Sequence, residues 1–205
     1  MNSQQILTAL SAEKVVTLSD VFSVNGNTIR LKPGINFNLN MQLIVELMEM
    51  LAKNPAITRL LLNNTCLYDI AFYELAERDF QKIDDFVAEE NDYLFYLAKN
   101  LAKTAIEHIY LQSARFTQRG INALVGVEQL KSLNLAFTDI DNATAIKLAQ
   151  HPSMKQLWIH DTKITDVSSF LQNNNLVFFK AGKFGQSNEP MMSEVKIKIN
   201  NNLAR

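Results

Sequence analysis

One spacing recurs along this chain and limits its fold more than any other feature. Four segments read apolar-x-x-apolar-x-apolar: Ile57, Leu60, Leu62; Ile106, Ile109, Leu111; Leu130, Leu133, Leu135; and Met154, Leu157, Ile159. The match continues past each segment. Three positions on come Thr65, Ala114, Thr138 and Thr162, and two further on Leu67, Phe116, Ile140 and Ile164. The starts at 106, 130 and 154 are 24 residues apart, whereas 57 to 106 is 49, roughly two periods. The sequence reading fills that gap with a degenerate unit at 80–105, carrying Phe80 and Ile83 but Asp85 in its last core slot. Leu176, Phe179 and Ala181 read as the last unit, and 28–31 as a first, capping strand. A period of this length is the signature of a repeat architecture, in which each unit buries its apolar side chains only against its neighbours.

A second signature precedes the strands. Leu51-Ala52-Lys53-Asn54-Pro55, Leu101-Ala102-Lys103-Thr104 and Leu148-Ala149-Gln150-His151-Pro152 end helical stretches. Upstream of the first, Leu39, Leu43, Leu47, Met50 and Leu51 fall at helical spacing and predict one amphipathic helix. Ala143, Ile146, Leu148 and Ala149 predict a shorter one. Proline after such a stretch stops it, because it cannot continue the hydrogen-bond ladder.

Over roughly residues 26–182 these motifs resemble the leucine-rich-repeat family, with its L-x-x-L-x-L-x-x-N/C-x-L units. The strand-plus-helix unit is most similar to the ribonuclease-inhibitor-like branch, and the Leu-Ala-x-x-Pro endings are similar to leucine-rich-repeat effectors of intracellular bacterial pathogens. Thr or Ala stands where the family has Asn or Cys, and the repeat length drifts. The resemblance implies an α/β solenoid, a horseshoe with a parallel concave sheet and convex helices, built from irregular repeats of about 24 residues. The organisation expected is one structural domain: an N-terminal cap at 1–35, five to six repeats at 36–182, and a C-terminal cap or tail at 183–205.

Strand geometry assigns the side chains. Successive residues point to opposite faces, so the fourth and sixth positions of each unit face the core and the third, fifth and seventh face away. Strands pack about 4.8 Å apart and helices roughly 10 Å, so the sheet becomes the inner side of a curve. Gly120, between Phe116 and Ile121, predicts a close backbone approach or a helix start. Asn25-Gly26 between β-prone segments predicts a turn. Val195, Ile197 and Ile199 alternate with lysines, which predicts a half-exposed edge strand guarded by charge.

The outward columns carry the functional reading. The third reads Arg59, Lys82, His108, Ser132, Gln156, Phe178; the fifth Leu61, Asp84, Tyr110, Asn134, Trp158, Lys180; the seventh Asn63, Phe86, Gln112, Ala136, His160, Gly182. The repeat does not require large aromatics there, and Tyr and Trp are enriched in binding hot spots. A partner-binding surface of Arg59, Leu61, His108, Tyr110, Asn134, Gln156, Trp158, His160, Phe178 and Lys180 follows; the structural alternative is that the rings only cover their neighbours.

Little points to chemistry. The stretch 74–92 holds eight carboxylates in no catalytic or calcium-loop frame and reads as a solvated face. Tyr93, Phe95 and Tyr96 read as helix-packing core, and His151 as a structural residue of a helix-to-strand turn. His108 and His160 lie two repeats apart, at least ~10 Å, too far to share a zinc ion. Cys66 is the single cysteine, which excludes an intrachain disulfide and a Cys-based zinc cluster. Nucleotide loops, a nucleophile elbow and HExxH are absent from the sequence. A formal charge of −1 gives no global attraction to nucleic acid or lipid, no apolar run is long enough to span a membrane, and the first residues lack the form of a secretion signal.

The expectation is a non-enzymatic, cytoplasmic, monomeric module with no cofactor and no metal, binding a protein partner through its concave face. The family resemblance implies a bacterial effector, translocated into a host cell by a specialised secretion system, that inhibits or recruits a host protein or another effector. The alternative is a substrate-recruiting adaptor of a ubiquitin ligase, for which the apolar positions between Ile6 and Phe22 would have to form an F-box.

Overall fold

The computed structural model describes residues 16–33, 39–68 and 87–182, together with Val195 and Ile199. Among the described residues the chain forms one seven-stranded sheet whose spatial order follows the sequence: β1 Phe22–Asn25, β2 Thr28–Leu31, β3 Arg59–Leu61, β4 His108–Tyr110, β5 Ser132–Asn134, β6 Gln156–Trp158 and β7 Phe178–Lys180. β1 and β2 are an antiparallel hairpin, with Gly26 at φ +56° in the turn, and every later pairing is parallel. The register is the one the spacing predicts: Leu60, Ile109, Leu133, Leu157 and Phe179 lie side by side across five strands. All five are buried, and so are Leu62, Leu111, Leu135 and Ile159 two positions on. An α/β sheet ordered this way is compatible with a solenoid.

The helices are α1 Leu18–Val21, α2 Met41–Lys53, α3 Tyr93–Asn100, α4 Gln118–Val125 and α5 Asn142–Ala149. Each of the last four starts where a side chain accepts from the backbone N–H three residues on: Asn40 from Leu43 at 2.9 Å, Asp92 from Phe95 at 3.0 Å, Thr117 from Gly120 at 2.8 Å and Asp141 from Thr144 at 3.0 Å. Such caps satisfy an otherwise orphaned donor and fix the first turn. In α2 the buried stripe is Leu43, Ile44, Leu47, Met48 and Leu51; Met50 is only half-buried. The helices pack in chain order, α2 on α3, α3 on α4 and α4 on α5.

The threonine column closes each turn on its own strand. Thr65, Thr138 and Thr162 each donate their hydroxyl to the carbonyl three residues back, at 2.6, 2.6 and 2.9 Å; at Ala114 only the backbone N–H makes that contact, at 3.0 Å. Immediately before this slot each of these four segments turns through the left-handed region, at Asn64, Ser113, Phe137 and Asp161 with φ of +55 to +57°.

Turns entering the strands are tied to the preceding repeat. Asn173 Oδ1 accepts from Asn175 and Leu176 N–H, both at 2.8 Å, while its Nδ2 donates to Ala149 O at 2.7 Å. His151 does the same with a ring: Nδ1 accepts from Ser153 and Met154 N–H, which leaves the proton on Nε2 to donate to Val127 O at 3.1 Å. Burial holds its pKa below the usual histidine value, so the ring is a neutral structural element, as the sequence reading expected. Gln129 Nε2 reaches the Leu101, Thr104 and Ile106 carbonyls of the repeat before it.

Four readings change. β3 pairs directly with β4, Leu60 against Ile109, so no degenerate rung sits between them; the strand expected around Phe80–Asp85 lies outside the described residues, as do Lys82, Asp84 and Phe86. Val195 and Ile199 are helical and buried rather than parts of an edge strand. Asp92, read as part of a solvated acidic face, has a fully buried side chain. It caps α3, accepts from the Thr117 hydroxyl and pairs with Arg119 Nε at 3.2 Å. Of the three aromatics read as core, only Tyr93 is buried; Phe95 and Tyr96 are half-exposed. Gly120 meets both expectations, since it lies in the first turn of α4 and a Cβ there would fall 2.9 Å from the Asp92 carboxylate.

Candidate protein-binding face

Three-residue strands with a buried centre leave their outer residues on the other side of the sheet. Paired parallel residues share a face, so register places Arg59, His108, Ser132, Gln156 and Phe178 in one row and Leu61, Tyr110, Asn134, Trp158 and Lys180 in the next. Arg59, Phe178 and Lys180 are exposed; Leu61, His108, Tyr110, Asn134, Gln156, Trp158 and His160 are half-buried. All ten residues expected to bind a partner therefore reach solvent from one open face. The indole of Trp158 is not in the core.

The rings form a continuous row. Trp158 and Phe178 lie 4.7 Å apart between centroids, tilted at 37°, and Tyr110 reaches Trp158 at 6.1 Å and 42°. Tyr110 and Trp158 are two strands apart, about 9.6 Å along an ideal sheet. They close that gap because the intervening β5 is low: Asn134 folds back to accept from Ala136 N–H at 3.0 Å, and the Ser132 hydroxyl turns to Gln156 Oε1 at 3.2 Å. The rings shelter one another and remain partly accessible to solvent.

The strand residues of the face carry charge of one sign, while the Glu107 and Asp161 carboxylates stand beside it, near His108 and His160. Among the described strand residues on it, the charged side chains are Arg30, Arg59 and Lys180, with no carboxylate. Burial lowers the pKa of His108 and of His160, assisted by the positive charge of Arg59 at the first and Lys180 at the second, so neither ring adds charge near neutral pH. The Nδ1 atoms of both are buried with no hydrogen-bond partner.

Phe137 was not among the residues expected here. It sits in the left-handed turn after β5, is 49% exposed, and packs edge-on against His160 at 5.3 Å. Its equivalents Asn64, Ser113 and Asp161 are small polar residues, and a bulky side chain at positive φ is strained. The sequence held one signal, an apolar residue in a slot that is otherwise polar.

Among the described residues no three His, Cys, Asp or Glu side chains gather as metal ligands, and no helix is long and apolar enough to cross a membrane. Cys66 is buried with its Sγ 3.6 Å from Tyr68 O. A groove of about 690 Å³ lies elsewhere, between the ends of α3 and α4, lined by Ala98, Ala102, Ala123 and Gly126 among others, and holds no histidine or cysteine.

No protein-family model matches the chain, and no curated protein matches it. Among solved structures it is similar to one described as Leiomodin-1 Actin-Binding Site 2 (ABS2), at 14% identity and a TM-score of 0.41, over 84% of this chain and 83% of that one. A likeness of that degree assigns neither family nor function.

Proposed function

We propose that this chain is a non-enzymatic protein-binding module, a leucine-rich-repeat solenoid of the ribonuclease-inhibitor-like kind, which holds a protein partner on the open face of its parallel sheet. One observation carries the reading: the Tyr110–Trp158–Phe178 row is continuous, reaches solvent, and stands on a rigid sheet whose core side is fully packed. Aromatic side chains of this kind offer large contact area at low conformational cost. The repeat endings shared with effectors of intracellular bacterial pathogens supply the setting: a cytoplasmic, monomeric chain translocated into a host cell to inhibit or recruit a host protein or another effector. Nothing among the described residues favours the ubiquitin-ligase adaptor, and residues 1–15, most of the segment it would need, lie outside them.

The test is affinity capture with the wild-type chain beside Trp158→Ala and Tyr110→Ala, each checked for an unchanged melting profile. Partners retained by the wild type should be lost from both variants, a truncation cost of about 2 kcal/mol or more, roughly thirtyfold in affinity. Equal capture by folded variants would remove the open face from the mechanism.

A further inference from the structure

The open face is uneven along its length. At the β2–β3 end it presents the exposed guanidinium groups of Arg30 and Arg59, with no carboxylate among the described residues paired to either. At the β6–β7 end it presents Trp158 and Phe178, with Lys180 beside them and Phe137 rising from the neighbouring turn. The chain as a whole carries a formal −1, so the cationic character belongs to this face and not to the molecule at large.

From these observations we propose that the partner engages through an extended acidic segment that also bears an apolar side chain, lying across the strands with its carboxylates at Arg30 and Arg59 and its apolar group against Trp158, Phe178 and Phe137. The proposal rests on the protein-binding reading above and names the chemistry of what is bound. Charge complementarity fixes the direction: a segment with its acidic end over the rings would leave both arginines unpaired, and a basic segment would meet like charge at Arg30, Arg59 and Lys180. Strand spacing fixes the length. Arg59 and Phe178 stand four strands apart, about 19 Å, which an extended chain covers in about five or six residues.

A single-stranded nucleic acid also combines negative charge with rings that stack on aromatics. The geometry favours a peptide. Trp158 lies 4.7 Å from Phe178 and 6.1 Å from Tyr110 in tilted contact, so no slot between rings is open to a base. Three cations on the face are also few for a phosphate backbone, whose binding depends on many such contacts.

The probe is a displayed library of random twelve-residue peptides, selected on the full chain and counter-selected on Trp158→Ala. The expected winners carry Asp or Glu about five or six residues from a Leu, Ile, Phe or Trp. Their affinity should fall about tenfold on Arg59→Glu and fall with added salt. Winners that need Trp158 but lack carboxylates, or that bind Arg59→Glu equally well, would overturn the acidic partner and leave the face intact. Absence of any winner sensitive to Trp158 would sink the face itself, and with it this proposal. A polyuridine strand binding more tightly than the best peptide, and doing so through Trp158, would replace the peptide with nucleic acid. Arg59 is exposed, so its variants keep the fold, and circular dichroism melting of each verifies that.

Discussion

The stretch from β4 to β6 and the stretch from β3 to β4 do the same structural task with very different lengths of chain. In the first, each strand runs through a left-handed turn to an apolar residue, Phe116 or Ile140, and the next residue, Thr117 or Asp141, caps the helix. In the second, the apolar residue is Leu67 and the cap is Asp92. The ends of the intervening chain are drawn together: Tyr68 bridges to Asp92, and Leu67 O accepts from Tyr93 and Leu94 N–H at 3.0 and 3.2 Å. The long spacing is thus one repeat opened between Leu67 and Asp92, rather than two repeats of which one has decayed. A sheet of parallel rungs tolerates such an excursion because register is set by the strands, and lengthening a loop costs little once its base is closed.

The strongest way to break the comparison is to remove the cap in each region. Asp92→Ala takes away a cap, the buried acceptor of Thr117 and the partner of Arg119, whereas Asp141→Ala removes a cap and the acceptor of the Thr144 hydroxyl. Denaturant unfolding should show a loss of about 3–5 kcal/mol for the first and about 1 kcal/mol for the second. Equal losses would mean that the opened repeat is held no differently from the regular ones. Excising residues 68–91 to join Leu67 to Asp92 should give a cooperatively folding chain, at a cost of about 3 kcal/mol for losing buried Tyr68 and Val87. A deletion product without a cooperative melt would show that the excursion is part of the core.

Phe137 sharpens the contrast between fold and surface. Phe137→Asn places in the turn the residue type found at position 64, and should stabilise the chain by about 1 kcal/mol while weakening capture of the partner. A variant that is stabilised and still binds in full would make the ring incidental. The smallest effect is a matter of pH. His151 is held neutral, its folded-state pKa below that of the unfolded chain, so its contribution is complete above about pH 6.5 and is lost as pH falls toward the folded value. His151→Asn copies the residue at the equivalent turn, Asn173, and should remove that part of the pH dependence with little change at pH 7.5. Parallel pH profiles for the two proteins would disprove the neutral ring.

Much of this was legible in the residues. The rungs and the outward aim of Trp158 followed from apolar spacing, which buried strands obey closely. The opened repeat was misread because its 49-residue spacing is near two periods, and only pairing between strands tells an insertion from a lost unit. Val195 and Ile199 were misread because residues four apart lie on one side of a strand and of a helix alike, so a short apolar pattern does not choose between them. Asp92 hid in a run of carboxylates; its burial depends on Thr117 and Arg119, far along the chain. The left-handed column was out of reach because Asn, Ser and Asp accept that conformation in many settings and Phe137 gives no local sign of it.

The bonds from Gln129, His151 and Asn173 clasp each turn to the one immediately before it. Native-state opening in such a stack begins at the outer strands, where a turn is held from one side alone, and the amides of β4 and β5 should be the last to exchange with heavy water.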